Sequence, residues 1–332
     1  MEDNIMNVEI AEAIKNVDLF EMAAKTQNCP KALTEDEKAV AEHLDGYFRK
    51  IGETGHDPDH EIAAFINKAV NTEIHDTPDE LLDRLFDRGT IGEFDDFNLI
   101  LDPKNTLVAY EAAKGGVVPK SWLDIPAVTP TTINYSITTD LSFADLRKSG
   151  WKNIARVTDY SGRALKNKMF SKLFDVMDSG LSSGDNVIAE ATAAPTASSA
   201  GKLASYINDM GGGVIVGLSK YIVAISQLTG YVSESMMNEL YRTGMLGKYL
   251  GCDLYPISSQ KKLGDGTNQI KDKKLFGIAG KIGVLDMKGD VHTYQESDVH
   301  NDKINIYVKD FSFSYAFNKT SLDNVAKVTM AL

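Results

Sequence analysis

The densest set of reactive side chains is "HDPDHE", His56 to Glu61, where two imidazoles and three carboxylates share six positions. Such groups can hold a divalent metal and activate water, the chemistry of a metal-dependent hydrolase built on His56, Asp57 and His60. The same residues also read as a helix start. Asp57 suits the N-cap, Pro58 the first helical position, and the acids favour the positive end of the helix dipole. No matching ligand set stands elsewhere in the chain, which favours the capping reading. His292, Glu296 and His300 lie in a polar stretch between strand-like runs, with no cysteine or third histidine near to complete a site. The glycines of "GGGVIVG" precede a strand, whereas a dinucleotide loop needs them between strand and helix. "GLSK" lacks the Gly-Lys-Ser/Thr order of a P-loop. No Ser/His/acid arrangement stands out. The reading is of a chain that is not an enzyme and carries no cofactor or metal.

A second kind of chemistry is carried by charge alone. Residues 147–172 hold Arg147, Lys148, Lys152, Arg156, Arg163, Lys166, Lys168 and Lys172 against Asp159, a local net of +7. Contact with a polyanion through its phosphates needs cation density rather than a fixed geometry. A solvated helix face accounts for the same pattern. The whole chain of 332 residues has a net charge of −12, unevenly spread. Residues 1–100 hold 24 acids and 9 bases, a net of −15, and the rest hold 23 and 26, a net of +3. This asymmetry marks off an N-terminal region from a near-neutral body.

Cys29 and Cys252 form neither a disulfide framework nor a zinc pattern. The acidic, amphipathic start does not read as a secretory leader. The most apolar run, "GVIVGLSKYIVAIS", carries Lys220 and is too short to span a bilayer. A soluble protein of roughly two domains, or one large one, made in a reducing cytoplasm, is expected.

The elements that must position these groups begin with short acidic helices. "TEDE" (Thr34 to Glu37) is a capping box, and "TPDE" (Thr77 to Glu80) repeats it before a helix with Gly89 as its C-cap. "NTLVAYEAAKGGVVPKSWLDIPAV" reads as a long hairpin about Gly115-Gly116, and "TTINYSITTD" as a strand. "LSFADLRKSG" follows as a short helix or turn. A long helix is expected over 157–181, with Leu165, Met169, Leu173 and Val176 on one stripe. "AEATAAPTASSAGK" (189–202) reads as a linker. A buried strand near 213–217 leads into helices near 218–229 and 233–243. "RTGMLGKYLGCDLYPIS" then carries Gly244, Gly247, Gly251 and Pro256 as turn and strand punctuation, and strands occupy 274–331.

That order resembles the major capsid protein of tailed bacteriophages, with the Hong Kong 97-type fold. The resemblance spans about residues 85–331 and rests on the hairpin, the β-branched strand, the long helix, the strand–helix–helix lobe and the pattern Gly244, Leu246-Gly247, Tyr249, Gly251, Leu254-Tyr255. It implies an α+β fold in five parts. Residues 1–85 would be an acidic helical N-terminal arm, and 86–137 the extended E-loop hairpin with flanking strands. Residues 138–199 would be a peripheral domain with its spine helix, 200–273 an axial domain, and 274–332 strands returning to the peripheral domain.

The same resemblance implies a function. The chain would self-assemble into the hexamers and pentamers of an icosahedral head that encloses double-stranded DNA. It would be assembled in the host bacterial cytoplasm, away from any membrane, with portal and scaffolding or decoration proteins as further partners. Tyr110, Glu111, Lys114, Gly115, Gly116 and Trp122 would lie in the intersubunit hairpin. Arg147, Lys148, Lys152, Arg156, Lys168 and Lys172 would face the DNA. A cellular nanocompartment shell of the same fold (encapsulin-like), packaging protein cargo, is the second reading. The metal-dependent hydrolase is the third.

Overall fold

The computed structural model describes residues 17–28, 32–55, 57, 60–76, 79–95, 100–101, 106–112, 114, 116–123, 125, 127–181, 184–228, 247–259, 263–298, 300–317 and 322–331. Helices α1 (Leu19–Asn28), α2 (Glu35–Thr54), α3 (Glu61–Asn71) and α4 (Glu80–Leu85) come first. The capping box at α2 forms: the Thr34 hydroxyl accepts from the Glu37 amide at 3.2 Å, and the Thr34 amide donates to the Glu37 carboxylate at 2.7 Å. At α4 the cap is Asp79, which accepts from the amides of Leu81 and Leu82. The helix therefore starts later than "TPDE" suggested, and Thr77 and Pro78 lie outside the described residues. It also ends early. Gly89 is no C-cap but sits inside strand β1 (Phe86–Ile91), opposite Asp286.

These helices do not form an extended arm. The first three are packed onto α5 (Phe143–Gly180), the longest helix among the described residues, and share its core. Tyr47, Phe48, Phe65 and Trp151 form a chain of edge-on rings with centroids 5.5–5.8 Å apart. The close approach is permitted by glycine on both sides. A Cβ at Gly52 would lie 2.7 Å from the Arg147 amide nitrogen, and one at Gly150 would lie 2.8 Å from that of Arg49. Helix α5 is broken at Ser149 (φ −156, ψ 71), and α2 caps the restart: Asp45 accepts from the Trp151 amide at 3.0 Å. The long helix thus runs from about Gly150, earlier than the expected 157, and the short helix read at "LSFADLRKSG" is its first segment.

Two main sheets follow. In the first, β12 (Lys303–Phe317) is central. One of its edges carries β10 (Gly283–Lys288) and β11 (His292–Asp298), and the other carries β4 (Thr131–Ser142); β1 adds to β10 in parallel. The second has the order β5-β13-β9-β6-β8-β7. Its members are β5 (Val187–Glu190), β6 (Val214–Leu218), β7 (Lys248–Tyr249), β8 (Cys252–Ile257), β9 (Lys274–Ile278) and β13 (Val325–Met330). Residues 274–332 therefore do not stay together. β9 and β13 belong to the sheet of the 200–273 lobe, and only β10–β12 join the other.

Two helices complete the lobe: α6 (Ala197–Asp209) and α7 (Ser219–Ser226). The expected strand and first helix near 213–229 are β6 and α7. The second helix, near 233–243, lies outside the described residues. Residues 189–202 are not a loose linker. β5 pairs in parallel with β13, and α6 starts at Thr196, which accepts from the Ser199 amide. The hydroxyls of Thr196 and Ser199 also hold the Glu190 carboxyl down to about 2.

Candidate functional site

The hairpin is anchored by β2 (Ile100–Leu101) and β3 (Ala127–Val128), which pair Ile100 with Val128 and Leu101 with Ala127. The same register places Thr106 opposite Trp122, and the Thr106 hydroxyl donates to the Trp122 carbonyl. Continued, it puts the turn at Lys114. Among the described residues its arms carry no helix and no strand beyond that short ladder. Eight large apolar side chains are exposed here: Leu107, Val108, Tyr110, Val117, Val118, Trp122, Leu123 and Ile125. Trp122 is 75% exposed and Val117 fully so. Glu111, Lys114 and Gly116 are exposed too, while Gly115 lies outside the described residues. Clustered exposed apolar side chains are the usual mark of an interaction surface.

Helix α5 sorts the basic residues by face. Arg147, Lys148, Lys152, Arg156 and Lys168 are exposed, and Lys172 is half-buried. At 3.6 residues per turn, Arg156 lies about 40° around the helix from Lys152, whereas Lys168 and Lys172 lie about 160° and 200° away. Lys168 and Lys172 are thus on another side. Arg147 pairs with Asp302 at 3.0 Å. Arg163 and Lys166 are neutralised by Asp159 and Glu73, at 2.6 and 2.5 Å. Among the described residues Lys148, Lys152 and Arg156 form no ion pair.

The glycine-punctuated stretch closes the second sheet. Leu250 (φ 45) and Gly251 (φ 88) form the two-residue turn of the β7–β8 hairpin, where both central residues need positive φ. Leu250 is held there by the Asn208 side-chain amide, which donates to its carbonyl at 2.6 Å. The Gly247 carbonyl accepts from the Leu254 amide at 2.8 Å. Pro256 does not end the strand; β8 continues to Ile257, and Pro256 falls beyond β7, where among the described residues β8 is the edge and a missing N–H costs little. Gly244 lies outside the described residues.

One junction gave no local signal. Asp178, near the C-terminus of α5, receives Lys274 and Lys327, the latter at 2.9 Å, from two neighbouring strands of the second sheet. Lys271 stands at 3.5 Å and also pairs with Asp175. Burial pushes the Asp178 carboxyl up, but the two lysine hydrogen bonds outweigh it and hold the group below its ordinary range. The three lysines are more than 90 residues away in sequence, so only the fold brings them to the helix.

Among the described residues the histidine clusters do not assemble. Asp57 is buried and accepts from the Glu61 and Ile62 amides at 3.3 and 3.2 Å and from the Gln295 amide at 2.9 Å. It caps α3, but from a distance, because the helix begins at Glu61 after His60 in a left-handed turn. His56, Pro58 and Asp59 lie outside the described residues. His292 approaches Glu93 at 3.9 Å, and Glu296 accepts from the Tyr307 hydroxyl. Among the described residues no three His, Cys, Asp or Glu side chains converge as a metal site. Gly180-Leu181-Ser182-Ser183-Gly184 has nucleophile-elbow spacing, but Gly180 ends a helix and the next element is strand β5 from Val187, the reverse of the order an elbow needs, and Ser182 and Ser183 lie outside the described residues. Among the described residues no helix is long and apolar enough to cross a membrane.

No family model and no curated protein matches the sequence. Solved structures do match the fold. The asymmetric unit of the bacteriophage PhiM1 mature capsid aligns over 74% of this chain and 85% of its own, with 12% identity and a TM-score of 0.51. A Mycobacterium phage Bobi structure aligns over 83% and 100%, with 11% identity and a TM-score of 0.51. A Gordonia phage Cozz structure aligns over 75% and 85%, with 12% identity and a TM-score of 0.50. Identities this low speak for the backbone arrangement alone. The chain has the fold found in the PhiM1 mature capsid.

Proposed function

We propose that this chain is a structural shell subunit, a phage major capsid protein. Its copies form the hexamers and pentamers of an icosahedral head around double-stranded DNA, with portal and scaffolding or decoration proteins as further partners. The shell is built in the host cytoplasm and ends in the virion. The observation that carries the reading is the hairpin over 100–128, an exposed apolar ribbon with little core of its own on a capsid-like body. Such a ribbon gains its stability from a neighbour. Lys148, Lys152 and Arg156, with Arg147, offer the packaged DNA a phosphate-directed surface, while Lys168 and Lys172 belong to another side of the helix.

Electron microscopy of the purified chain tests this. Rings of five or six, tubes or closed shells are the expected species. Replacing Tyr110 and Trp122 together by serine should abolish them, with the circular dichroism of the body retained. A wild-type chain that stays monomeric under all assembly conditions overturns the proposal.

A further inference from the structure

The first sheet carries a carboxylate that nothing among the described residues pairs. Asp286 lies in β10, with Gly89 of β1 on one side of it and Ser314 of β12 on the other, and Thr132 of β4 follows Ser314 in the same row. Residues paired across strands share a face. Side chains alternate along each strand, so this row lies opposite Phe86, Leu285, Phe313 and Tyr315, which are buried in the core. Asp286 is half-buried there, and among the described residues it makes no hydrogen bond and no ion pair. Its carboxylate leans over Gly89, where the absence of a Cβ leaves room for it. The Ser314 hydroxyl beside it does not help: Ser314 is 1% exposed, and its oxygen also lacks a hydrogen bond. Burial pushes the Asp286 carboxyl up, with no cation to offset the shift.

A charge held this way costs stability, because it has lost water and gained no partner. Asparagine has the same shape without that cost. A residue that weakens the isolated chain, where a neutral isostere would not, marks a contact made outside the chain. We infer that Asp286 receives a lysine or arginine side chain from a second copy of the chain, in an ion pair formed only on assembly. This deepens the shell proposal and rests on it. The charges are complementary: among the described residues Lys168, Lys172 and Lys202 form no ion pair, so each copy carries cations to spare. The site admits a long side chain, since its neighbours in the row are the small Gly89 and Ser314 and the exposed Thr132. A carboxylate partly out of water also holds an incoming cation more firmly than a fully solvated one does. A divalent metal ion fits less well, because it needs several oxygen ligands, and among the described residues no three His, Cys, Asp or Glu side chains converge.

The test is Asp286→Asn in the full chain, with two readouts that should move in opposite directions. In the unassembled chain, held at low concentration, Tm should rise by about 1–2 °C, because a desolvated charge is removed and its shape kept. At fixed assembly concentration and low salt, the assembled fraction should fall about fivefold, as loss of an ion pair repeated at every interface does. A residue that only supports its own fold would lower Tm and assembly together. A variant that assembles as well as wild type, or whose Tm does not rise, overturns the inference. If wild type assembles and the Tyr110/Trp122 serine variant does not, the shell reading stands whatever Asp286→Asn shows. If wild type never assembles, the shell reading itself falls, and the ion pair with it.

Discussion

Asp178 shows how single residues set the stability of the junction between helix and sheet. A carboxylate near a helix C-terminus faces the negative end of the dipole, and burial adds a further cost. The lysines that meet it reverse the balance, so its folded pKa lies below its ordinary value of 3.8. A depressed carboxylate contributes stability that is fully present above the unfolded pKa and is lost as pH falls through the folded one. Asp178→Asn should therefore cost most near neutrality. There it strands Lys327, whose side chain is 10% exposed, as a buried cation. The expected loss is about 3 kcal/mol, a Tm drop of roughly 4 °C for a chain of this size. As pH falls through the folded pKa, which lies below 3.8, the wild-type carboxyl is itself protonated, and the two melting temperatures should converge. Thermal melts from pH 7 to pH 2.5 check both statements; a gap unchanged across that range refutes the assignment. None of this was visible at Asp178 in the sequence, because its partners come from strands far along the chain. The caps at Thr34 and Asp79 were visible or nearly so, because donor and acceptor lie within three residues.

At the scale of elements the same rule holds. Helix α2, strand β6 and the hairpin turn were legible from local spacing. The break at Ser149 was not, since its cap comes from Asp45 on another helix. The return of β13 beside β5 was not either, and so a structured turn over 189–202 read as a linker. Local composition reports what a segment favours, and it is silent on which distant segment covers it. Glycine illustrates this. Gly150 and Gly201 both sit in helices, and nothing in their neighbours in sequence distinguishes them. A Cβ at Gly150 would stand 2.8 Å from the Arg49 nitrogen and 2.9 Å from the Asp45 oxygen, both backbone atoms that cannot swing aside. A Cβ at Gly201 would meet nothing within 4 Å. Gly150→Ala should destabilise by at least about 2 kcal/mol by forcing α2 off α5. Gly201→Ala should stabilise by about 0.5–1 kcal/mol through helix propensity and a less flexible unfolded chain. Denaturant melts of the two variants should move in opposite directions; movement in the same direction would show that the α2–α5 crossing is looser than the packing implies.

For the whole molecule, the charge asymmetry takes on a spatial meaning. The acidic N-terminal helices are not a tail but a layer packed on α5, and just after α3 the Glu73 carboxylate neutralises its Lys166, as Asp159 does Arg163 and Asp302 does Arg147. That bookkeeping leaves Lys148, Lys152 and Arg156 as uncompensated charge near the start of the helix. The local net of +7 in sequence therefore splits in the fold into this small patch and Lys168 with Lys172 on another side, which form no ion pair among the described residues either. A polyanion that contacts about three phosphates through this patch releases about three condensed counterions. Its affinity should then fall with salt at a log–log slope near −2.7. Replacing the three residues together by glutamine should weaken binding of a duplex to assembled subunits and flatten that slope by about the same amount, whatever the duplex sequence. Lys168→Gln with Lys172→Gln, on another side of the helix, should leave the slope unchanged. Titrations of labelled duplex from 50 to 300 mM salt distinguish the two variants. If the second pair flattens the slope instead, the DNA lies against the other side of α5, and the inner surface of the shell must be redrawn around it.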